Sequence, residues 1–164
     1  MLFETQRTYV RPFTPGDVAA VLKLNSNAEV TLYTGDANEV KTLEDARAVI
    51  REVWLKEYAE YGYGRWAVVH KKDNQVIGFA GFKFLPAVGM PDIGYRLLPQ
   101  YWGQGLATEV VIASVQYGRN TLGIKEYFGD VMADNHASVR LLQKLGLTFN
   151  RYVEYDGYRF MRFA

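Results

Sequence analysis

The chain has 164 residues, a formal net charge of +1 and no run of like charges, which excludes an extended basic surface for nucleic acid or anionic membranes. It contains no cysteine, which excludes disulfides, thiolate metal sites and cysteine nucleophiles. No apolar run reaches the roughly 18 residues that a membrane-spanning helix needs. We therefore expect one domain over residues 1–164, located in the cytoplasm, with neither nucleic acid nor a membrane as partner.

The first half of the chain predicts one strand, two helices and a pair of strands. RTYVRPF is a short strand candidate, and Thr14 is an N-cap candidate for the helix that follows. A longer helix is expected over residues 42–62, because apolar residues recur there at helical spacing and a glycine stands at the end. Residues 65–85 then predict two strands joined by a turn at Asp73-Asn74.

The second half of the chain predicts two more strands, two helices and a hairpin. DIGYRLL is a strand that ends at Pro99, since proline has no N–H for the ladder. A helical pattern covers residues 108–118, and EYFGDVM predicts the next strand. DNHASVRLLQKLG predicts a second capped helix, and the tail alternates around Asp156-Gly157, a type I′ hairpin signal. This mixture predicts an α+β, or mixed α/β, fold.

The stretch YWGQGLATE, residues 101–109, places two glycines between a strand and a helix. Several unpaired N–H groups and the positive end of the helix dipole then point to one place, which suits a phosphate. Gly103 and Gly105 allow the tight curl, and the small Ala107 and Thr108 leave room for a pyrophosphate. Thr108 stands where a dinucleotide-binding G-x-G-x-x-G needs its third glycine, and the chain lacks the G-K-[ST] of a P-loop. The alternative is a tight turn that binds nothing.

Two longer segments resemble a known family. DIGYRLLPQYWGQGLATE followed by DVMADNHASVRLLQKLGL closely resembles the GNAT acetyltransferases, particularly their RimJ/RimL-like branch, and RTYVRPFTPGDVAAVLKL resembles the opening of that branch. The resemblance covers nearly the whole chain. It implies a central, mostly antiparallel twisted sheet with a splayed parallel strand pair and flanking helices, and it implies acetyl-CoA as the cofactor.

The resemblance also assigns residues to acetyl-CoA. The pyrophosphate loop of the family, Q/R-x-x-G-x-G/A, falls on six consecutive residues: Trp102, Gly103, Gln104, Gly105, Leu106 and Ala107. Tryptophan departs from the general pattern at the first position but is similar to the RimJ/RimL form. The preceding strand is implied to pair with the pantetheine arm through the main chain of Tyr95, Arg96, Leu97 and Leu98, with residues 130–132 across the opening.

The same resemblance implies catalytic residues. The asparagine that contacts the cofactor arm falls on Asn135, and the residue that protonates the departing CoA thiolate falls on Ser138, because the tyrosine of related enzymes falls on Leu142. Asp130 and Asp92 are both candidates for the base that takes the proton of the amine through water. The alternatives are helix-capping roles for Asn135 and Ser138, and solvated strand-end charges for the two aspartates.

The expected reaction is direct attack of a neutral primary amine on acetyl-CoA, with a backbone N–H near Leu97 polarising the carbonyl. The acceptor is open among a protein N-terminal α-amine, an amino acid, a polyamine and an amine-bearing antibiotic. One alternative is an acyltransferase that uses another acyl-CoA. The other is a non-catalytic CoA-binding or interaction domain.

Four further features complete these expectations. A polyamine groove would be served by acidic residues on the N-terminal segment: Asp36, Glu39, Glu44 and Asp45. YGYGRW, residues 61–66, is a candidate wall of the acceptor site. The tail hairpin is a candidate homodimer contact, because an edge strand pairs readily. His70 and His136 lack the spacing of metal ligands, so no metal site is predicted.

Overall fold

A computed structural model describes residues 1–164 as two β-sheets with five helices. The larger sheet contains five antiparallel strands in chain order: β1 Phe3–Glu4, β2 Thr8–Arg11, β3 Arg65–His70, β4 Gln75–Leu85 and β5 Met90–Leu97. The smaller sheet contains β6 Gly129–Val131, β7 Phe149–Tyr155 and β8 Tyr158–Phe163, with β8 in the middle. The helices are α1 Val18–Asn25, α2 Leu43–Ala48, α3 Leu55–Tyr61, α4 Leu106–Asn120 and α5 His136–Lys144. None of them is long and apolar enough to cross a membrane.

The helix expected over residues 42–62 is confirmed. Thr42 Oγ1 accepts the N–H of Asp45 at 3.1 Å, and Asp45 Oδ2 accepts the N–H of Thr42 at 3.0 Å, so a capping box begins α2. One wider helical turn, Val49–Trp54, joins α2 to α3. Gly62 ends α3 in the left-handed conformation with φ +77°.

The larger sheet has an apolar core on each face. The core on the side of α4 and α5 includes Val10, Trp66, Phe82, Ile93, Leu97 and, from α4 itself, Val110. The core on the side of α1, α2 and α3 includes Phe13, Ile50, Trp54, Phe79, Leu98 and, from α1 itself, Leu24. Because side chains alternate along a strand, β3 and β4 present residues to both cores: Trp66 and Phe82 to the first, and Ala67 and Phe79 to the second.

Gly118 is not the helix stop that the sequence predicted. Helix α4 runs from Leu106 to Asn120 and passes through this glycine. A Cβ on Gly118 would lie 2.6 Å from the ring of Phe82. The glycine therefore lets the helix approach the sheet closely, which is a packing role.

Strands β5 and β6 supply the splayed parallel pair. Ile93 N–H donates to the carbonyl of Phe128 at 2.8 Å, and Phe128 N–H donates to the carbonyl of Pro91 at 3.1 Å. Asp92 and Phe128 form the only parallel bridge between the two sheets, and the strands separate beyond it. The strand predicted from EYFGDVM is therefore restricted to Gly129–Val131, and an opening lies between the sheets.

The tail folds back as predicted. Asp156 and Gly157 have φ of +50° and +82°, the pair of positive values that a type I′ turn requires. The turn joins β7 to β8, and Tyr155 pairs with Tyr158 across it.

Candidate active site

The glycine turn at the start of α4 has the geometry of an anion site. Gly103 and Gly105 have φ of +71° and +78°, and a Cβ on Gly103 would meet no atom within 4 Å. These glycines are needed for their backbone conformation and not for space. The first bond of the helix runs from Glu109 N–H to the carbonyl of Gly105, at 3.0 Å. The N–H groups of residues 106–108 therefore have no partner within the chain.

Arg7 and Glu109 hold this turn against the larger sheet. Arg7 Nη1 donates to the carbonyl of Gln104 at 2.8 Å, and Arg7 Nε donates to Glu109 Oε1 at 3.0 Å. Burial alone would raise the pKa of Glu109, but hydrogen bonds from Thr5 and Arg7 outweigh it, and the pKa is lowered. Glu109 therefore stays charged and fixes the start of α4. No sequence motif singled out Arg7, whose contact is 102 residues away.

A cavity of about 650 Å³ lies beside the turn. Eleven of the thirteen residues predicted to bind the cofactor line it: Tyr95, Arg96, Leu97, Trp102, Gly103, Gly105, Leu106, Ala107, Thr108, Asn135 and Ser138. Leu98 does not line it, because its side chain is buried in the opposite core and its N–H donates to the carbonyl of Ile77 at 2.8 Å. Gln104 does not line it either, since its side chain donates to the carbonyl of Gln100. We call this space the donor cavity.

The donor cavity also contains cations that the sequence reasoning did not select. Arg140 and Lys144 lie one turn apart on α5 and both line it. Their i, i+4 spacing is the signal that would have placed them on one helix face. His136, at the start of the same helix, lines the cavity as well.

The main chain of β5 faces the opening at alternate residues. Ile93 N–H points toward β6 and Leu98 N–H points toward β4, as their hydrogen bonds to Phe128 and Ile77 show. The alternation directs the N–H groups of Tyr95 and Leu97 into the opening. The carbonyl of Leu97 is already used, because it accepts Trp102 Nε1–H at 2.7 Å.

Asn135, Ser138 and Tyr95 lie together in the opening between the sheets. Asn135 Oδ1 accepts the N–H of Ser138 at 3.4 Å, so the capping role considered for this pair is present. The Ser138 hydroxyl also lies 3.0 Å from the hydroxyl of Tyr95. Burial raises the pKa of Tyr95. Leu142, in contrast, is buried and packs against Gly129.

A second cavity, of about 470 Å³, opens on the other side of this point, and we call it the acceptor cavity. The two cavities share one wall, made of Tyr33, Thr34, Tyr95, Arg96, Asn135, Ser138 and Leu141. Both candidate bases, Asp92 and Asp130, line only the acceptor cavity. Val131 lines it too, whereas Met132 lines neither cavity.

Each candidate base is largely buried and ion-paired, so the reading of a solvated strand-end charge is wrong for both. Arg65 Nη2 lies 2.6 Å from Asp92 Oδ2, and the Asp92 side chain is 15% exposed. Arg162 donates to both oxygens of Asp130 at 2.9 Å, and Tyr155 donates a third bond at 2.7 Å. Burial and the bond to Asp130 raise the pKa of Tyr155 to about 12, so this phenol keeps its proton.

The two aspartates differ in their contacts. Burial raises the pKa of Asp92, and Arg65 only partly offsets this effect. Asp92 Oδ1 accepts one further bond, from the N–H of Asp130 at 3.2 Å. Both oxygens of Asp130 are occupied by Arg162, and one also by Tyr155. Asp92 therefore accepts two hydrogen bonds and Asp130 accepts three, which leaves Asp92 more capacity for a further donor.

Only part of the predicted acidic groove lines the acceptor cavity. Asp36 and Glu39 line it, and Asp36 Oδ2 lies 2.6 Å from Arg96 Nη2. Asp45 caps α2 instead, and Glu44 pairs with the exposed Arg47. The segment Tyr33–Asp36 thus lies over the cavities, held by the side chain of a β5 residue.

The aromatic segment YGYGRW is not a wall of the acceptor cavity. Tyr61 packs against Phe84 and Tyr63 packs against Phe82, outside both cavities. Only Arg65 at its end lines the acceptor cavity. Across the whole chain, no three or more His, Cys, Asp or Glu side chains are arranged to hold a metal ion.

The antiparallel sheet, the splayed parallel strand pair and the glycine turn at a helix start form the arrangement expected of an acetyl-CoA-dependent acyltransferase. The profile of the acetyltransferase (GNAT) domain family matches residues 7–148, and the chain belongs to this family. It is an N-acetyltransferase, and its cofactor is acetyl-CoA. Family membership decides against the non-catalytic alternative.

Individual relatives agree with this assignment. The chain is 35% identical over 146 residues to the uncharacterized N-acetyltransferase YoaA of Bacillus subtilis (strain 168), covering 88% of this chain and 81% of YoaA. RimL, a ribosomal L7/L12 α-N-protein acetyltransferase solved with coenzyme A, matches with a TM-score of 0.84 at 19% identity, covering 99% of this chain and 95% of RimL. Spermidine N-acetyltransferase from Vibrio cholerae, solved with CoA and spermine, matches with a TM-score of 0.78 at 15% identity, covering 96% and 94%. At such identities the two structures show the shared fold, and they confirm the predicted fold class.

Proposed function

We propose that the chain transfers the acetyl group of acetyl-CoA to a primary amine at the wall shared by its two cavities, without a covalent enzyme intermediate. The observation that carries this proposal is the shared wall itself, with Tyr95, Asn135 and Ser138 facing both sides. One cavity carries an anion-binding turn and the other carries buried carboxylates. A donor and an acceptor bound in them meet only at this wall.

Acetyl-CoA supplies a thioester that an amine can attack, and the donor cavity fits it. The free N–H groups of residues 106–108 suit the pyrophosphate, together with the loop of residues 102–105. Arg140 and Lys144 add positive charge for phosphates. The N–H groups of Tyr95 and Leu97 are the proposed partners of the pantetheine arm and of the thioester oxygen.

Asp92 is the proposed general base. An ammonium group has no lone pair, so the acceptor must lose a proton before or during attack. A carboxylate of raised pKa, ion-paired to Arg65 and lining the acceptor cavity, is suited to take that proton through water. Asp130 then positions Asp92, because its N–H donates to Asp92 Oδ1.

Ser138 is the proposed general acid, and Asn135 positions it. Ser138 lines both cavities, and the proposed transfer would release the sulfur of CoA at this wall. Asn135 fixes the first turn of α5 through the Ser138 N–H. The capping contact and the catalytic role are therefore compatible, because capping uses the Ser138 backbone N–H and not its hydroxyl.

The acceptor cavity supports a cationic amine as substrate. Five carboxylates but only three cationic side chains line it. Glu39 and Asp156 have no ion-pair partner, so they are available to an incoming ammonium group. Both the protein N-terminal amine of the RimL substrate and the amines of spermidine have this charge. We place the chain in the RimJ/RimL-like branch on the strength of Trp102 and the RimL match.

A two-stage experiment tests the proposal. CoA must first raise the melting temperature, since a ligand at about 100 times its Kd adds about 2.7 kcal/mol of stability. Acetyl-CoA consumption is then measured with peptides, polyamines, amino acids and aminoglycosides. We expect Asp92→Asn and Ser138→Ala to lose turnover while keeping CoA stabilisation. Matched controls are Asp17→Asn and Ser114→Ala, which change a buried aspartate and a buried serine outside both cavities. Wild-type turnover in Asp92→Asn or Ser138→Ala would remove the role of that residue.

The homodimer contact stays a proposal that rests on the tail hairpin. β7 is the outer strand of the smaller sheet, so one side of its backbone has no neighbour. Four of the large apolar side chains that the chain exposes belong to this hairpin: Phe149, Tyr152, Tyr155 and Tyr158. Sedimentation of wild type and Tyr152→Asp tests it: we expect a dimer that the substitution dissociates, and a wild-type monomer would contradict the contact.

Two broader proposals follow from the composition. We propose that residues 1–164 act as one domain, which a single cooperative unfolding transition would support and two transitions would contradict. We also propose a cytoplasmic location, which suits a chain without cysteine. Cell fractionation with an antibody against the chain tests this location.

A further inference from the structure

Tyr95 and Ser138 face one another across the wall between the cavities. Tyr95 extends from β5, Ser138 lies in the first turn of α5, and their hydroxyl oxygens are 3.0 Å apart. The resemblance assigned Tyr95 to the cofactor through its main chain only. Its side chain places a hydroxyl within hydrogen-bond distance of Ser138 Oγ, and both residues line the donor and the acceptor cavity.

The chemistry of the pair gives the hydrogen bond a direction. A phenol is a stronger acid than an aliphatic hydroxyl, so Tyr95 is the better donor of the two. Burial raises the pKa of Tyr95, and the phenol therefore holds its proton at neutral pH. When Tyr95 donates to Ser138 Oγ, the hydroxyl hydrogen of Ser138 points away from Tyr95. It is then available to a group bound between the two cavities.

A serine hydroxyl needs such a partner to act as an acid. Loss of its proton leaves a strongly basic alkoxide unless another group supplies a proton in the same step. Leu142, where related enzymes carry a tyrosine, has no proton to give and is buried against Gly129. The hydroxyl of Tyr95 reaches Ser138 from the opposite wall instead.

We propose that Tyr95 is a positioning and proton-supplying residue for acetyl transfer, acting through Ser138. This inference rests on the role proposed for Ser138. As the carbon–sulfur bond breaks, its electron pair goes to sulfur. Ser138 Oγ gives its proton to that sulfur and takes the proton of the Tyr95 hydroxyl. The amine nitrogen has meanwhile bonded to the carbonyl carbon and lost a proton to Asp92 through water. That proton is released to solvent and solvent returns one to Tyr95, so the enzyme ends as it began.

Binding of the product tests the pair without turnover. Titration calorimetry compares CoA with desulfo-CoA, which lacks the sulfur, between neutral pH and a pH above the usual thiol pKa of about 8.5. The affinity of the wild-type protein for CoA should increasingly exceed its affinity for desulfo-CoA as the thiol ionises. Tyr95→Phe and Ser138→Ala should each reduce this preference at high pH by about tenfold, the value of one hydrogen bond to a charged group. An unchanged preference in Tyr95→Phe would overturn the inference.

Kinetics separates a positioning role from a contact that only supports the cofactor. We expect Tyr95→Phe to lower kcat by about 10- to 100-fold with the KM for acetyl-CoA changed less than about twofold. The double variant Tyr95→Phe/Ser138→Ala should be no slower than Ser138→Ala, because both residues act in one relay. Additive losses, or a raised KM with unchanged kcat, would contradict the relay.

Two comparisons keep this inference distinguishable from the role of Ser138 alone. If Ser138→Ala loses kcat and Tyr95→Phe keeps it, Ser138 stands and Tyr95 is excluded. If Ser138→Ala also keeps kcat, the proposed acid fails together with its partner. Tyr9→Phe is the matched control, since it removes a hydroxyl bonded to Asn74 at 3.0 Å, outside both cavities, and we expect no change. Ser138→Thr keeps a hydroxyl and should therefore be more active than Ser138→Ala. This gain should be larger when Tyr95 is present than when Ser138→Thr is combined with Tyr95→Phe.

Discussion

The glycine turn permits a quantitative test in which conformation and charge are separated. Gly105 has φ +78°, and a Cβ there would lie 3.6 Å from Arg7 Nη2, which is ordinary contact. Gly105→Ala therefore adds no steric clash. It adds only the cost of a left-handed conformation, about 1–2 kcal/mol. This cost will be divided between lower stability and weaker CoA binding, according to how far the turn relaxes without ligand.

Gly105→Glu adds a negative charge to the same conformational cost. Two unit charges about 6 Å apart repel by about 3 kcal/mol at an effective dielectric constant of 20. Solvent at this exposed turn reduces the repulsion to about 1–2 kcal/mol. We therefore expect Gly105→Glu to bind CoA about 10-fold more weakly than Gly105→Ala at low salt, with a smaller gap at high salt.

Titration calorimetry with CoA and thermal unfolding without it measure the two parts. Gly123 provides the matched control, because it has φ +72°, no atom within 4 Å of a Cβ, and no place in either cavity. Gly123→Ala and Gly123→Glu should carry a similar conformational cost and leave CoA affinity unchanged. If Gly105→Glu binds CoA as tightly as Gly105→Ala at low salt, no phosphate lies at the turn, and the donor cavity has been assigned wrongly.

Three other predictions concern charged side chains. Arg140→Ala should weaken CoA binding by about tenfold in calorimetry, with a reduced salt dependence, because it removes a cation from the donor cavity; unchanged affinity would exclude a phosphate contact. Burial raises the pKa of Asp92, so kcat/KM should rise with pH through a pKa above the usual aspartate value of about 3.9. Asp92→Asn should lose this rise with pH and lower the rate by about 10²–10⁴. A rise that persists in the variant would contradict the role of Asp92 as base. Burial would raise the pKa of Asp17, but the hydrogen bonds from Arg11 and Thr14 outweigh this effect, and the pKa is lowered. The charged carboxylate therefore stabilises the fold fully above its ordinary pKa, and this stabilisation is lost as the pH falls through the lowered value. Asp17→Asn should thus cost about 1–3 kcal/mol in denaturant unfolding at pH 7, and this cost should fall as the pH is lowered below the ordinary aspartate pKa of about 3.9; a cost that does not change with pH would contradict the ion pair.

The features that local sequence could predict are those set by a few adjacent residues. Gly105 and the pair Asp156-Gly157 stand where backbone conformation has to be left-handed, and the structure shows positive φ at each. Thr42 and Asp45 carry the signature of a capping box, and they form one. Gly118 shows the limit, because its reason is the ring of Phe82 on another element, which no local pattern reports.

The contacts that define the site could not be predicted in this way. Tyr95 meets Ser138 across 43 residues, and Asp130 meets Arg162 across 32. Such pairs depend on strand register and on how far the two sheets separate, and both properties emerge only when the chain packs. The sequence identified both aspartates as candidate bases. The choice of Asp92 over Asp130 required their contacts, with Arg65 for Asp92 and with Arg162 and Tyr155 for Asp130.

Asp92 joins the architecture of the opening to its chemistry. In a continuing parallel ladder, the N–H of Asp130 would donate to a main-chain carbonyl of β5. The strands separate here, and the carboxylate of Asp92 accepts that N–H instead, at 3.2 Å. The same carboxyl group is buried among the residues that line the acceptor cavity, which raises its pKa. Asp92→Asn keeps an oxygen for the Asp130 N–H and removes only the charge, whereas Asp92→Ala removes both. We therefore expect similar losses of turnover in the two variants, with an additional loss of about 1–3 kcal/mol of stability in Asp92→Ala, where a buried N–H is left without an acceptor.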